Sequence, residues 1–509
     1  MSKMSSVDYD VVIVGGGING AVSAARLSAS GIRVLLLEAG DFACTTSQES
    51  SNLVWGGIKY MQSYEFALVY KLCRSRNQLL KAYPTRIREI AFLASIGPTS
   101  PFGRVLGLLG ASLYWGIGAF KTHSPRTYSA AKAHLVEPSF IKGRPALEYY
   151  DAQLPDNDSR FVWEFISTAQ RLGGECLNYQ RVTDAKFDGT WKVEFTNQLT
   201  GETRTTTSKV LINATGPYAN GISDQLGLNN KSRLALSKGV HLVVPKIHSS
   251  DRVLAFWDEQ GRMFYVLPMH DKSVIGTTDT RMDHVTNEVT DEDRDFLLRQ
   301  INAQMSLPKP LTKEDIISER AGVRPLVTSG GNSDEIDWHK LSRKHVVETD
   351  SAHAAVTLFG GKLTDCLNIG EEVIDAVGKL GIAPTQATAA WFGEDSAEDM
   401  AKFLGEAQLV LGEIADGRDI AAGIWRRHGN RGFEILSAIK ANREDGQAVF
   451  EGLDICRAEI NHVLRYESVQ TPEDLLRRRL PITMTRGVSE IEKNEFLQQK
   501  LARLAKVSA

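Results

Sequence analysis

Gly15, Gly17 and Gly20 stand at the spacing G-x-G-x-x-G. They lie between an apolar run, Tyr9 to Val14, and a stretch of helix composition, Asn19 to Ser30. A second apolar run from Ile32 to Leu37 leads to Glu38. Strand, glycine turn, helix and a second strand ending in an acid make a dinucleotide site of Rossmann type. Gly15 permits the tight turn, Gly17 lets backbone approach a pyrophosphate, and Gly20 lets helix and strand pack closely. The helix N-terminus offers N–H groups to phosphates. Glu38, 18 residues beyond Gly20, can accept from ribose hydroxyls.

The elements that must position this site run through a long chain. At 509 residues it calls for two or three folding units. With 42% hydrophobic and 24% charged residues it reads as a globular protein, and a net charge of -3 gives no general attraction to nucleic acid. Five scattered cysteines without a C-x-x-C pair argue against a disulfide framework or a zinc site, and no metal is expected. Met1 to Asp8 is short and polar, without the apolar region of a secretory signal, so a cytoplasmic place is expected. Val105 to Phe120 carries no charge; it is short for a membrane span and reads as a buried or interfacial helix. Tyr64 to Tyr83, Phe161 to Leu172 and Asp291 to Met305 have helical periodicity. Trp191 to Thr196 with Thr203 to Ile212, and four segments between Val240 and Thr277, alternate like antiparallel strands. His345 to Glu348 and Ala355 to Leu358 return to strand character, and from Glu398 onward the pattern is helical.

The fingerprint alone does not separate FAD from NAD. An apolar strand ending in Ala214-Thr215-Gly216, as in Val210 to Pro217, is common in FAD enzymes on the adenine side. The chain then resembles, nearly end to end, the FAD-dependent glycerol-3-phosphate dehydrogenases of the quinone-linked type and their oxidase relatives. The resemblance is carried by Val12 to Gly20, Thr46-Ser47 with Ser50-Ser51, Gly56-Gly57 and Tyr60, Tyr149 to Gln153, and Gly239 to Pro245. It continues in Gly276-Thr277-Thr278-Asp279, Ala321 to Pro325, Ser342-Arg343, Phe359 to Thr364 and Leu475 to Arg479.

The resemblance implies an α/β fold: a Rossmann-type FAD domain, an antiparallel-sheet substrate cap and a C-terminal helical domain. The FAD-dependent region would span 8–390, with the cap at roughly 60–150 and 235–345, and the helical domain 391–509. It implies hydride transfer from a phosphorylated secondary alcohol to flavin N5, with electrons passed to quinone, or to oxygen in the oxidases. FAD would lie against Gly15, Gly17, Gly20, Glu38, Thr46, Ser47, Ser51, Val182, Ala214, Gly216, Gly361, Lys362, Leu363 and Thr364. Arg324 and Arg343 correspond to anion-holding arginines, and Lys59, Tyr60 and Thr278 to substrate contacts. His241, Arg324 and Lys362 would be catalytic. The chemistry agrees: guanidinium forks suit a phosphate dianion, a lysine stabilises charge on reduced flavin, and a histidine can take the alcohol proton. Peripheral contact with the inner face of a membrane and a homodimer are the further partners implied.

Several positions depart from the family. Trp55 stands where His is usual, so it takes no proton; Lys59 replaces Arg and loses the fork; Asn52 replaces a cation; and Asp365 replaces a threonine, adding negative charge. These leave a second reading open, a flavin enzyme for another anionic hydroxy or amino substrate, and a third, a flavin-binding protein without turnover.

Overall fold

The computed structural model describes residues 7–259, 261–329 and 344–505. β1 (Tyr9–Val14), α1 (Ile18–Ala29) and β2 (Val34–Leu37) form where the apolar runs and the glycine turn place them. β1 lies at the centre of a mostly parallel sheet, with β2 and Glu175–Leu177 on one side and Thr203–Asn213 and Ala355–Phe359 on the other. Val346–Asp350 closes that edge antiparallel, and the hairpin Gln180–Phe187/Trp191–Asn197 extends from Thr203–Asn213. The strands are buried and apolar as parallel strands covered by helices must be. α1 is rich in alanine, which keeps it thin enough to pack under Asp158–Arg171 and Cys366–Lys379.

The second sheet is larger and mainly antiparallel. Its order runs Thr280–Met282, Ser232–Pro245, Lys272–Gly276, Met263–Met269, Val253–Trp257, Arg88–Ser95, Ala146–Gln153 and Leu53–Val54, with Ser318–Ser329 along Ser232–Pro245. Five of these strands escape the sequence reading, the short Leu53–Val54 and Thr280–Met282 among them. Ala146–Gln153 buries Glu148 and Asp151, which spoil its apolar alternation; Arg126 and Arg252 hold the first, Arg76 the second. Arg88–Ser95 pairs along its length. Ser318–Ser329 carries Arg320 and Arg324. Ser232–Pro245 begins eight residues before the expected Val240.

From Ala397 the chain is helical, and two apolar clusters fill this part. All five cysteines are free. Among the described residues no helix is long and apolar enough to cross a membrane. The helix Arg104–Ile117 is neither buried nor hidden: Val105, Leu106, Leu109 and Leu113 point outward.

Candidate active site

The glycine turn is built as its spacing requires. Gly15 has φ +105°, and a Cβ there would lie 2.6 Å from the Ala214 carbonyl oxygen. Gly20 sits inside α1, where a Cβ would lie 1.9 Å from the Gly15 oxygen. Gly17 precedes the helix, and a Cβ on it would meet only Ser47 Oγ, at 3.1 Å. Its missing side chain therefore opens onto a cavity of about 580 Å³ lined by Gly15, Gly17, Glu38, Val182, Ala214 and Gly216. Gly20 does not line it; its part is the close packing beneath. The Glu38 carboxylate accepts from the Gly16 and Gly40 N–H groups at 2.6 and 2.8 Å, which fixes it at the cavity wall.

The loop after β2 bends across the helix N-terminus. Ser47 Oγ accepts from the Ile18 N–H at 3.0 Å, and Thr46 Oγ1 donates to the Val323 carbonyl at 2.6 Å. From behind, the C-terminal helices grip the same loop. Arg479 makes a two-pronged pair with Asp41, both contacts at 2.8 Å, Arg478 reaches Asp41 at 2.7 Å, and Arg477 donates to the Gln48 carbonyl. Burial pushes the Asp41 carboxyl up, but the charges of Arg479 and Arg478 bring it below the usual carboxylate range. This is what the Arg477-Arg478-Arg479 run does: it fastens the helical part to the cofactor loop.

A second cavity, about 290 Å³, shares Ile18, Thr46, Ser47, Pro325 and Gly361 with the first. One face of the large sheet walls it. His241 pairs with Arg320 across the ladder, Gly239 with Gly322, and Ser237 with Arg324, so these six side-chain positions share a face. Gly239 gives the arginine room, since a Cβ there would lie 2.1 Å from Arg324 Nη2, while Gly322 makes room for Glu49, whose Cβ would lie 2.6 Å from one on Gly322. Arg324 Nη2 donates to Thr277 Oγ1 at 2.8 Å, and Nη1 lies 3.4 Å from Asp279. The guanidinium is thus held in place at the cavity before anything binds. His241 Nε2 lies 2.9 Å from Ser51 Oγ, and Nδ1 is buried with no hydrogen-bond partner. Burial, and then the charges of Arg320 and Arg324, push its pKa well below the usual 6.5, so the ring is neutral and able to accept a proton.

On another wall Lys362 Nζ lies 3.9 Å from the Tyr60 ring centroid, and the Tyr60 ring packs against Trp55, tilted by 54° with centroids 5.8 Å apart. The Trp55 N–H donates to Thr364 Oγ1 at 3.0 Å, which ties the tryptophan to the turn Gly361-Lys362-Leu363-Thr364. Lys59, Ser51 and Leu363 also line this cavity. Thr278 does not; its Oγ1 accepts from the Val240 N–H at 3.0 Å, and Thr277 faces the cavity in its place. Arg343 lies outside the described residues. Asp365 adds less charge to the site than its position suggests, because it turns away to His345, 2.7 Å from Nδ1. Sequence reasoning missed Thr277, the Ser51–His241 contact and Arg320. The last was within reach, since Arg320 and Arg324, four apart on a strand, must share a face.

The two cavities form one cleft, with glycines and the Glu38 carboxylate lining one end and Arg324, Lys59 and Lys362 lining the other, a lining that fits FAD. Comparison with known proteins agrees. Residues 10–364 match the FAD dependent oxidoreductase family. The aerobic glycerol-3-phosphate dehydrogenase of Staphylococcus haemolyticus (strain JCSC1435) is 32% identical over 386 residues, 74% of this chain and 68% of the relative. That of Staphylococcus aureus (strain MRSA252) is 28% identical over 492 residues, 93% of this chain and 86% of the relative. Among solved structures, the glycerol-3-phosphate dehydrogenase from Bacillus halodurans complexed with FAD superposes with TM-score 0.73 at 24% identity, covering 100% of this chain and 94% of that one.

Proposed function

This chain belongs to the FAD-dependent oxidoreductase family, within its glycerol-3-phosphate dehydrogenase branch, and from that premise we propose that it oxidises sn-glycerol 3-phosphate to dihydroxyacetone phosphate and passes the electrons to quinone. The observation that carries this reading is the cavity where Arg324, Ser51, His241, Lys59, Tyr60 and Lys362 meet, continuous with the glycine-turn cleft. The helix N-terminus at Gly17 would hold the pyrophosphate, Glu38 the ribose, and the turn Gly361 to Thr364 the ring system. When bound, the flavin supplies the acceptor for the two electrons that leave the carbinol carbon.

The chain's own residues do the rest. Arg324, already oriented by Thr277 and Asp279, binds the phosphate with no reorganisation of its fork. The hydroxyl proton passes to the Ser51–His241 pair, whose imidazole burial keeps neutral. Lys362 holds positive charge at the glycine turn, and Trp55 and Tyr60 exclude water beside it. Arg324→Ala is expected to raise KM for glycerol 3-phosphate about 100-fold, on the order of 3 kcal/mol, while flavin stays bound. Unchanged kinetics would remove Arg324 from the site.

A base works only when unprotonated, so its acid limb falls at its own pKa. With His241 held well below 6.5, kcat/KM per substrate dianion is expected to stay level from about pH 8 down through about pH 6.5. A limb centred at or above 6.5 contradicts the neutral buried ring. A second reading, another anionic hydroxy or amino substrate, is favoured by the bulk of Trp55 in the cavity wall; the same reduction assay run over a substrate panel decides between them.

Quinone is dissolved in lipid, and a surface suited to lipid is present. Val105, Leu106, Leu109 and Leu113 leave the outer face of Arg104–Ile117 apolar, and the neighbouring helix Phe66–Ala82 exposes Phe66 and Tyr70. A face of this kind lies in the membrane interface, where each inserted leucine contributes about 1.5–3 kcal/mol. Leu106→Glu with Leu109→Glu is expected to abolish sedimentation with phospholipid vesicles while leaving reduction of a soluble dye intact. Undiminished vesicle binding rejects this face.

A further inference from the structure

The C-terminal helices carry a side-chain cluster that the flavin site does not use. His428 ends the helix Gly417–His428, His462 lies in Arg457–Tyr466, and Glu467 follows it. All three are buried. Their ligand atoms, one from each residue, lie within 4.8 Å of one another, and His428 Nδ1 is 3.4 Å from Glu467 Oε1.

The outer nitrogens point the same way. His428 Nε2 is 2.8 Å from the Glu459 carboxylate. A carboxylate accepts only, so it takes the Nε2–H and leaves the Nδ1 lone pair toward Glu467. His462 repeats the pattern more loosely. Its Nδ1 lies 3.7 Å from the Glu434 carboxylate, and its Nε2 is buried with no hydrogen-bond partner. Two imidazoles, each with one nitrogen beside a carboxylate and the other left over near a third carboxylate, reproduce how proteins orient histidines on a metal.

We propose that His428, His462 and Glu467 bind one divalent ion of the zinc class. Two imidazoles and one carboxylate suit zinc and its neighbours rather than calcium or magnesium, which take oxygen ligands. The cysteines play no part, which is why their spacing gave no sign of it. A cavity of about 590 Å³ lined by Glu434, His462, Asn461 and Arg465 provides entry and room for water as fourth ligand. Arg160 is the competitor. Its Nη2 lies 3.3 Å from His428 Nδ1 and 3.0 Å from Glu467 Oε1, and the ion displaces it from both. Arg160 keeps Glu467 Oε2, through Nη1, and the Arg427 carbonyl at 2.6 Å. Glu434, Glu459 and Glu467 balance the ion and Arg160, while Arg427, which also holds Glu459, has Asp156 and Asp454 as its own counter-ions. The bound ion would join Gly417–His428 to Arg457–Tyr466 and the residue that follows it, two helices of the C-terminal part.

The test uses the full-length flavoprotein, stripped with a chelator and dialysed against zinc. One zinc per chain and a raised melting temperature are expected. His462→Gln should lose the ion, and Glu434→Gln, at an exposed side chain that leaves folding intact, should weaken binding about 10- to 100-fold with the flavin spectrum unchanged. No zinc uptake by the wild type, or uptake by both variants equal to it, overturns the proposal.

Discussion

Gly20→Val is expected to yield folded protein that carries no flavin. The position lies inside α1, where even a single carbon would stand 1.9 Å from the Gly15 oxygen, 3.0 Å from the Gly15 carbonyl carbon and 3.5 Å from the Ala214 side chain. The first two are backbone atoms that cannot rotate away. α1 must therefore back off from the turn, and with it goes the ring of N–H groups that faces the pyrophosphate. Overpacking of this kind costs about 1–3 kcal/mol in strain alone, and the displaced anion site adds the loss of binding. The absorbance ratio of flavin to protein after purification measures it. A yellow Gly20→Val protein at full occupancy contradicts the placement of the cofactor.

Arg479→Ala is expected to loosen the same cofactor from the far side. Arg479 is buried, its fork is spent on Asp41, its Nε donates to the Glu467 carbonyl at 2.9 Å, and its guanidinium lies 4.5 Å from the Trp163 ring centroid. Removing it leaves a buried carboxylate served by Arg478 and Asn178, and breaking one partner of such a pair costs about 3–5 kcal/mol. The loop so released carries Ser47, which accepts from the Ile18 N–H at the N-terminus of α1, and Thr46, which fastens the loop to Val323. Flavin should therefore leave at lower denaturant concentration than in the wild type. Arg479→Lys should not restore it, since an ammonium cannot bridge both Asp41 oxygens. Release at an unchanged midpoint would show that the helical part does not support the cofactor loop.

What could be read from the residues was what lies close along the chain. The turn from Gly15 to Gly20 and the acid at Glu38 belong to one βαβ unit, and local spacing dictates their geometry. The Gly361 to Thr364 turn was also legible, through its resemblance to a family. The partners of Arg479 were not, because Asp41 lies more than four hundred residues away and no periodicity connects them. Buried charge hid other elements. Glu148 and Asp151 interrupt the pattern of Ala146–Gln153 and are tolerated only because arginines from distant segments neutralise them. At the site, Thr277 and Thr278 are neighbours in the short connection between Lys272–Gly276 and Thr280–Met282, where no strand alternation says which one faces inward, and similarity to a motif placed the contact one position off the cavity. Asp365 shows the same limit: its charge was visible, but not that His345 would absorb it.

The central claim is that glycerol 3-phosphate, held by Arg324, gives up its electrons in this cavity. Anaerobic addition of that substrate to the purified flavoprotein tests it most directly. Bleaching of the bound flavin by one equivalent, greatly slowed in Arg324→Ala at the same concentration, is the result expected. Flavin that stays oxidised under glycerol 3-phosphate, yet is reduced by dithionite or by a different anionic hydroxy or amino compound, would contradict it.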